Sequence, residues 1–340
     1  MTENQNVTND GAVAYPELLS VSPSPHIKNP DTTASVMLRV LIALFPACLW
    51  GIYRFGTRAG AILIISALSA VLFEYLYQKI MKKKVTVGDL SAAVTGLLIG
   101  MNITVAAPLW LGVVGSFFAV VIVKQLFGGI GKNIVNPALA ARVFMFSWPA
   151  EMGIFPKAGV KINDLGIYAD GVDAIAGATP LASLGKGAVP DDTALFDMVI
   201  GNVGGCIGEV SAVLLILGGI YLLVTKVITW HIPVAFIGTV ALVTFALPLG
   251  EAAALDFMLC QVFSGGLILG AVFMATDYVT SPVTALGQII YGVGCGLITV
   301  FIRYFGGYAE GVSFAILIMN LLSGYIDKFT MPKRFGGGKS

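Results

Sequence analysis

The chain has 340 residues, a formal net charge of +1, 57% hydrophobic residues and only 11% charged residues, with a mean hydropathy of +0.88. An average soluble domain is roughly 25% charged, so this composition is too poor in polar surface for a soluble fold and points to a polytopic membrane protein. The near-zero charge gives no support to nucleic-acid binding. Four isolated cysteines, Cys48, Cys206, Cys260 and Cys295, and two histidines, His26 and His231, argue against a disulfide framework or a metal site within the chain.

Taken in chain order, residues 1–36 form a polar arm without the basic-then-apolar order of a signal peptide, and are read as a cytoplasmic N-terminal arm. Ten apolar runs follow, at 37–55, 59–79, 88–106, 108–127, 137–150, 206–225, 229–248, 258–276, 283–303 and 309–327. A spanning helix needs about 20 apolar residues; the fifth run is short, and is either tilted or completed by buried non-helical backbone. The fold class expected is therefore an all-α polytopic membrane protein of about ten transmembrane helices. The first transmembrane half is 37–150, the second 206–327, with a polar outer loop at 151–205 and a tail at 328–340. Five spans, a loop and five spans match an inverted repeat. Asn136-Pro137-Ala138 opens span five and Ser281-Pro282-Val283 opens span nine, although proline is also an ordinary helix start.

Positive charge sets the orientation. Lys79, Lys82, Lys83 and Lys84 follow span two, Lys124 and Lys132 bracket the end of span four, Lys226 follows span six, and Lys328, Lys333 and Arg334 follow span ten. All lie on one side of a ten-span chain. That side is cytoplasmic, both termini lie inside, and 151–205 faces outward. Arg54, Arg58, Lys157, Lys161, Lys186 and Arg303 weaken the bias. Lys82 to Lys84 also suit contact with anionic membrane lipid.

Within the outer loop lies Asp173-Ala-Ile-Ala-Gly177-Ala178-Thr179-Pro-Leu-Ala-Ser183. It resembles the site where a threonine hydroxyl is esterified to the phosphate of FMN. Small residues before the acceptor admit a transferase, and Pro180 disfavours helix at Thr179. The usual hydroxyl residue three positions before the acceptor is Ala176 here. Further blocks extend the likeness: Ser22-Pro-Ser-Pro-His26, Asp89-Leu-Ser-Ala-Ala-Val-Thr-Gly-Leu-Leu98, Lys124-Gln-Leu-Phe-Gly-Gly-Ile-Gly-Lys-Asn133-Ile-Val-Asn136-Pro-Ala138, Gly208-Glu209 and Ala275-Thr-Asp277-Tyr-Val-Thr-Ser-Pro282. Together they resemble the RnfD/NqrB family in order from about residue 18 to 330, and the length and short arm look closer to the RnfD branch.

That resemblance implies a flavoprotein subunit of a prokaryotic membrane complex that moves electrons between ferredoxin and NAD, coupled to Na⁺ or H⁺ translocation. In the NqrB branch the partners are NADH and a quinone. It implies covalent FMN on Thr179, with Asp173, Gly177 and Ala178 shaping the site, and a second flavin, riboflavin, for which the sequence has no motif. It implies partner subunits that carry a second outward FMN and iron–sulfur centres. A secondary transporter or channel, or a scaffold subunit with Thr179 unmodified, is the rival class.

Other polar residues have two readings each. Glu209 is a cation-path or flavin-environment residue, or an interfacial carboxylate; the family pattern has hydroxyl residues where this chain has Cys206 and Val210. Asp277 caps or turns the chain, or lines an ion route. Asn133 and Asn136 offer carbonyl oxygens to a cation or hydrogen bonds to a flavin, or pin a re-entrant turn. Arg142 pairs with a carboxylate or phosphate, or snorkels. Asp89 reads as a helix start, Trp230 and His231 as an interfacial belt, and Glu74 and Tyr75 as facing the headgroups.

Overall fold

The structure is a computed structural model that describes residues 31–168, 177, 179–185, 187, 195–209, 211–250, 253–306 and 310–332. The first two helices, α1 (Thr33–Phe55) and α2 (Thr57–Ile80), form a hairpin joined by one glycine. Gly56 has φ +93°, and a Cβ there would stand 2.6 Å from the Ile162 carbonyl oxygen, so both conformation and space demand glycine. A 3₁₀ turn (Val87–Asp89) leads into α3 (Ser91–Met101), and α4 (Leu109–Phe117) widens into π-helix over Phe118–Gln125. A Cβ on Gly96 would lie 2.5 Å from the Ser66 carbonyl oxygen, so glycine is what lets α3 approach α2. Asn136 caps α5 (Pro137–Met145) by accepting from the Ala138 and Leu139 N–H groups.

Three short helices follow in and just before the polar loop 151–205: α6 (Pro149–Met152), α7 (Pro180–Leu184) and α8 (Leu195–Ile200). The second half contains α9 (Ala212–Val224), α10 (His231–Ala246), α11 (Ala254–Phe263) and α12 (Leu267–Leu269), the last continued as π-helix over Gly270–Met274. It ends with α13 (Ala285–Phe305) and α14 (Val312–Thr330). Each half thus holds a helix that turns to π geometry before a polar turn and a new helix.

The chain is a helical, multi-pass membrane protein. Helices α1, α2, α13 and α14 are long and apolar enough to cross a membrane, and the pair from Ala254 to Met274, bent by 60°, makes a fifth span when counted as one. Side chains such as Ile64, Leu68, Leu72, Phe301 and Phe329 are exposed, which suits a surface facing hydrocarbon. The remaining apolar helices fall short of span length, so the helix lengths do not yield the expected ten full spans.

The shortfall has a local cause. Of the run 88–106 only Ser91–Met101 is α-helical, and in the run 206–225 the helix starts at Ala212. Residues 103–105 and 206–208 are instead non-helical and meet at a single antiparallel bridge between Thr104 and Cys206: Ile207 N–H donates to Ile103 O at 3.1 Å and Gly208 N–H to Met101 O at 2.8 Å. Pairing the two strips satisfies backbone groups that membrane interior would otherwise leave unsatisfied. A Cβ on Gly208 would sit 2.4 Å from Met101 Cβ, so the contact requires glycine.

Arg58, expected as a charge on the outer side, is fully buried. It donates to the carbonyls of Val105, Ala107, Asp164, Gly166 and Ile167. One guanidinium therefore ties the start of α2 to the loop before α4 and to the polar loop 151–205.

Candidate functional site

A break in a helix leaves carbonyls on one side and N–H groups on the other without partners. The break between α11 and α12, at Ser264-Gly265-Gly266, is closed by charged side chains of opposite sign. Arg303 of α13 donates to Gln261 O at 2.6 Å and to Ser264 O at 3.3 Å, taking the carbonyl end. Glu310 accepts from Gly266 N–H at 2.6 Å, taking the amide end. Cation at the C-terminus and carboxylate at the N-terminus match the half-helix dipoles. A Cβ on Gly266 would fall 2.3 Å from Glu310 Oε1 and 2.8 Å from Glu209 Oε1, so only glycine leaves room for both carboxylates.

Arg142 of α5 meets these carboxylates. Its Nη2 pairs with Glu209 Oε1 at 2.8 Å and with Glu310 Oε2. Its Nη1 donates to Asn102 Oδ1, and Cys206 Sγ lies 3.6 Å from Nη2. The side chains of Arg142, Glu209 and Glu310 are 5%, 7% and 13% exposed, so the triad is almost dry. Asn102 stands at the C-terminus of α3 and also donates to Leu98 O at 2.6 Å. One guanidinium thus joins the ends of two interrupted helices. Of the two readings of Arg142, pairing with carboxylates is the observed one.

The triad borders a cavity of about 180 Å³ whose wall includes Thr179, Pro180, Leu181, Phe146, Met152 and Phe155. Thr179 is the N-cap of α7: its Oγ1 accepts from Ala182 N–H at 3.3 Å and Pro180 fills the first helical position. Gly177 N–H donates to Phe155 O at 2.9 Å, and a Cβ there would approach Lys157 Cγ to 2.9 Å. Asp173 and Ala178 lie outside the described residues, as do the arm blocks at 22–26 and Val210. The fold therefore brings Thr179 and Glu209, 30 positions apart in sequence, to one cavity. It adds Glu310, which sequence reading missed; the signal was a carboxylate at the mouth of the last apolar run.

A second buried cluster lies among α2, α3 and the π-segment of α4. Lys124 Nζ pairs with Glu74 Oε1 at 2.9 Å, at 4% and 1% side-chain exposure. Lys124 also donates to Ser91 Oγ at 2.6 Å, and Gln125 to Glu74 Oε1 at 2.6 Å. Ser91 in turn donates its N–H and its hydroxyl to Asp89 Oδ1, which makes Asp89 a helix start. Two expectations are corrected. Glu74 does not face the headgroups, because the π-widened helix carries an ammonium to it. Lys124 is an internal partner and not a solvated charge marking a membrane face. Tyr75 does face outward, 39% exposed.

Asp277 accepts from Thr280 Oγ1 at 3.1 Å, and its main-chain oxygen accepts from Ser281 N–H, as a turn residue does; Asn133 also hydrogen-bonds its side chain. Asn136, besides capping α5, donates from Nδ2 to Met274 O at 3.0 Å, where the second π-segment ends. Glu209 is thus separate from the Asn133 and Asp277 pair, and Asn136 stands in neither group. Trp230 stacks on His231 with ring centroids 4.2 Å apart, and Trp230 is exposed.

Interrupted helices, buried charge at their ends and a cavity opening beside the break define a membrane protein that handles charge within a helical bundle. Residues 20–336 match the model of the NQR2, RnfD, RnfE family, and the chain belongs to that family. It is 46% identical to the D subunit of the Na⁺-translocating ferredoxin:NAD⁺ oxidoreductase complex of Acetobacterium woodii, over 94% of this chain and 95% of that protein. It is 40% identical to the D subunit of the proton-translocating ferredoxin:NAD⁺ oxidoreductase complex of Clostridium ljungdahlii, over 94% and 96%. With the D subunit of the ion-translocating oxidoreductase complex of Escherichia coli (strain K12) it shares 33% identity, over 94% and 99%.

Proposed function

We propose that this chain is the membrane subunit of an Rnf-type complex that transfers electrons between ferredoxin and NAD with coupled ion translocation, and that it carries FMN through a phosphoester on Thr179. The observation that carries the reading is the position of Thr179 on the wall of a cavity floored by Arg142, Glu209 and Glu310. The residues fit such a group. Thr179 is half-buried and its hydroxyl makes a single long hydrogen bond, and Arg142, whose Nε has no partner, is among the residues lining the cavity. When bound, FMN supplies the redox centre, and the protein supplies placement and electrostatics.

The chain's own residues have definite tasks. Thr179 Oγ1 is the ester oxygen, α7 holds it at the cavity wall, and Gly177, without a side chain, leaves room beside Lys157. The flavin loop, 151–205, faces outward and both termini face the cytoplasm, with ten helical segments arranged as five plus five. Partner subunits carrying a second FMN and iron–sulfur centres deliver and receive electrons. Glu209, Asn136, Asn133 and Asp277 are the proposed ion-path groups. The coupling ion, Na⁺ or H⁺, is not assigned, since the first two relatives above are named for different ions. Riboflavin, the second proposed flavin, is assigned no residues.

The test is direct. The purified protein is denatured, run on a gel and viewed for flavin fluorescence, with mass mapping of 151–205. A fluorescent band with FMN mass on the Thr179 peptide, lost in Thr179→Val, is the expected result. No fluorescence from cells that flavinylate a control protein would overturn the attachment at Thr179 and leave the family membership standing.

A further inference from the structure

The charged floor of the cavity is not needed for attachment at Thr179. Arg142, Glu209 and Glu310 all line the cavity, yet their side chains are 5%, 7% and 13% exposed. Two of them are held from outside the triad, Glu310 by Gly266 N–H and Arg142 by Asn102, and Glu209 is held by Arg142. Fixed charges in a nearly dry site act on a charge that develops beside them much more strongly than charges in water do. Arg303, at the same helix break, is spent on the Gln261 and Ser264 carbonyls.

Resting on the flavin reading above, we propose that the Arg142–Glu209–Glu310 triad sets the reduction potential of the flavin carried at Thr179, with Arg142 also the positioning residue for both carboxylates. Reduction adds electrons and negative charge to the cavity. Arg142 favours that change and the two carboxylates oppose it. The contributions therefore separate by sign. Arg142→Gln removes a positive charge and makes reduction harder. Glu310→Gln and Glu209→Gln each remove a negative charge, nearly without change of shape, and make it easier.

The experiment is a spectroelectrochemical titration of the assembled complex carrying each variant, with covalent flavin scored by fluorescence of this subunit's band. The expected result is at least a tenfold shift in the oxidised-to-reduced ratio at fixed potential, about 30 mV for a two-electron couple. The shift is to lower potential for Arg142→Gln and to higher potential for the two Glu→Gln variants. General loosening of the site would move all three the same way. Should Arg142→Gln fail to assemble, the two isosteric carboxylate variants carry the test. Unchanged potentials, or Glu→Gln shifts to lower potential, in fluorescent bands would overturn this proposal and leave the attachment reading standing. A wild-type band without fluorescence would overturn the attachment reading and this proposal with it.

Discussion

Two buried ion clusters use the same chemistry in different settings. Lys124 and Glu74 are one cation and one carboxylate, closed between α2, α3 and the π-segment of α4, with Ser91 and Gln125 supplying the remaining contacts. Arg142 is one cation shared by two carboxylates beside a cavity, and it sits where two helices are interrupted. The first cluster is matched in charge and sealed. The second shares one cation between two carboxylates, with Arg303 at the same helix break, next to space that a ligand can fill. Burial alone therefore does not separate the two clusters; the neighbouring volume does.

The comparison can be broken by substitution. The largest effect on stability is expected from Lys124→Met, which strands Glu74 as an uncompensated buried charge; the loss is about 3–5 kcal/mol. The double variant Glu74→Gln/Lys124→Met should recover most of it, because removing both charges removes the desolvation cost. Thermal unfolding in detergent measures both, and equal losses in the single and double variants would break the assignment of a sealed pair.

Gly266→Ala is expected next. Its Cβ would fall 2.3 Å from Glu310 Oε1, and overpacking of this kind costs about 1–3 kcal/mol. Its signature is selectivity: the cavity cluster is displaced while the Lys124–Glu74 pair is untouched. Hydrogen exchange should rise around 264–266 and not around Ser91.

The smallest stability change belongs to Thr179→Ala. It removes the cap of a five-residue helix, worth about 1 kcal/mol, and abolishes the fluorescent band. Thr179→Ser keeps both the cap and the hydroxyl, so fluorescence should return with it. A Thr179→Ala band that stays fluorescent would move the attachment point elsewhere.

Sequence reading reached the helical membrane class, the helix start beside Asp89 and the one at Asn136, because each rests on local composition or on a short motif. The count of full spans was less legible. The runs 88–106 and 206–225 are largely apolar, yet residues 103–105 and 206–208 leave the helix and meet at a single bridge. Hydropathy records how apolar a segment is, and either a helix or a paired strip satisfies the backbone of such a segment.

What the sequence determined by itself was the solvent this chain folds in, since 57% hydrophobic and 11% charged residues leave too little polar surface for water. Only the tertiary structure decided which charges face one another. Lys124 lies 50 positions from Glu74, and Arg142 lies 67 from Glu209 and 168 from Glu310. A buried charge needs a partner of opposite sign. Which one it finds depends on helix packing, on glycines that let backbones and carboxylates close in, and on where helices break. None of these is carried by a residue's own neighbours in the chain.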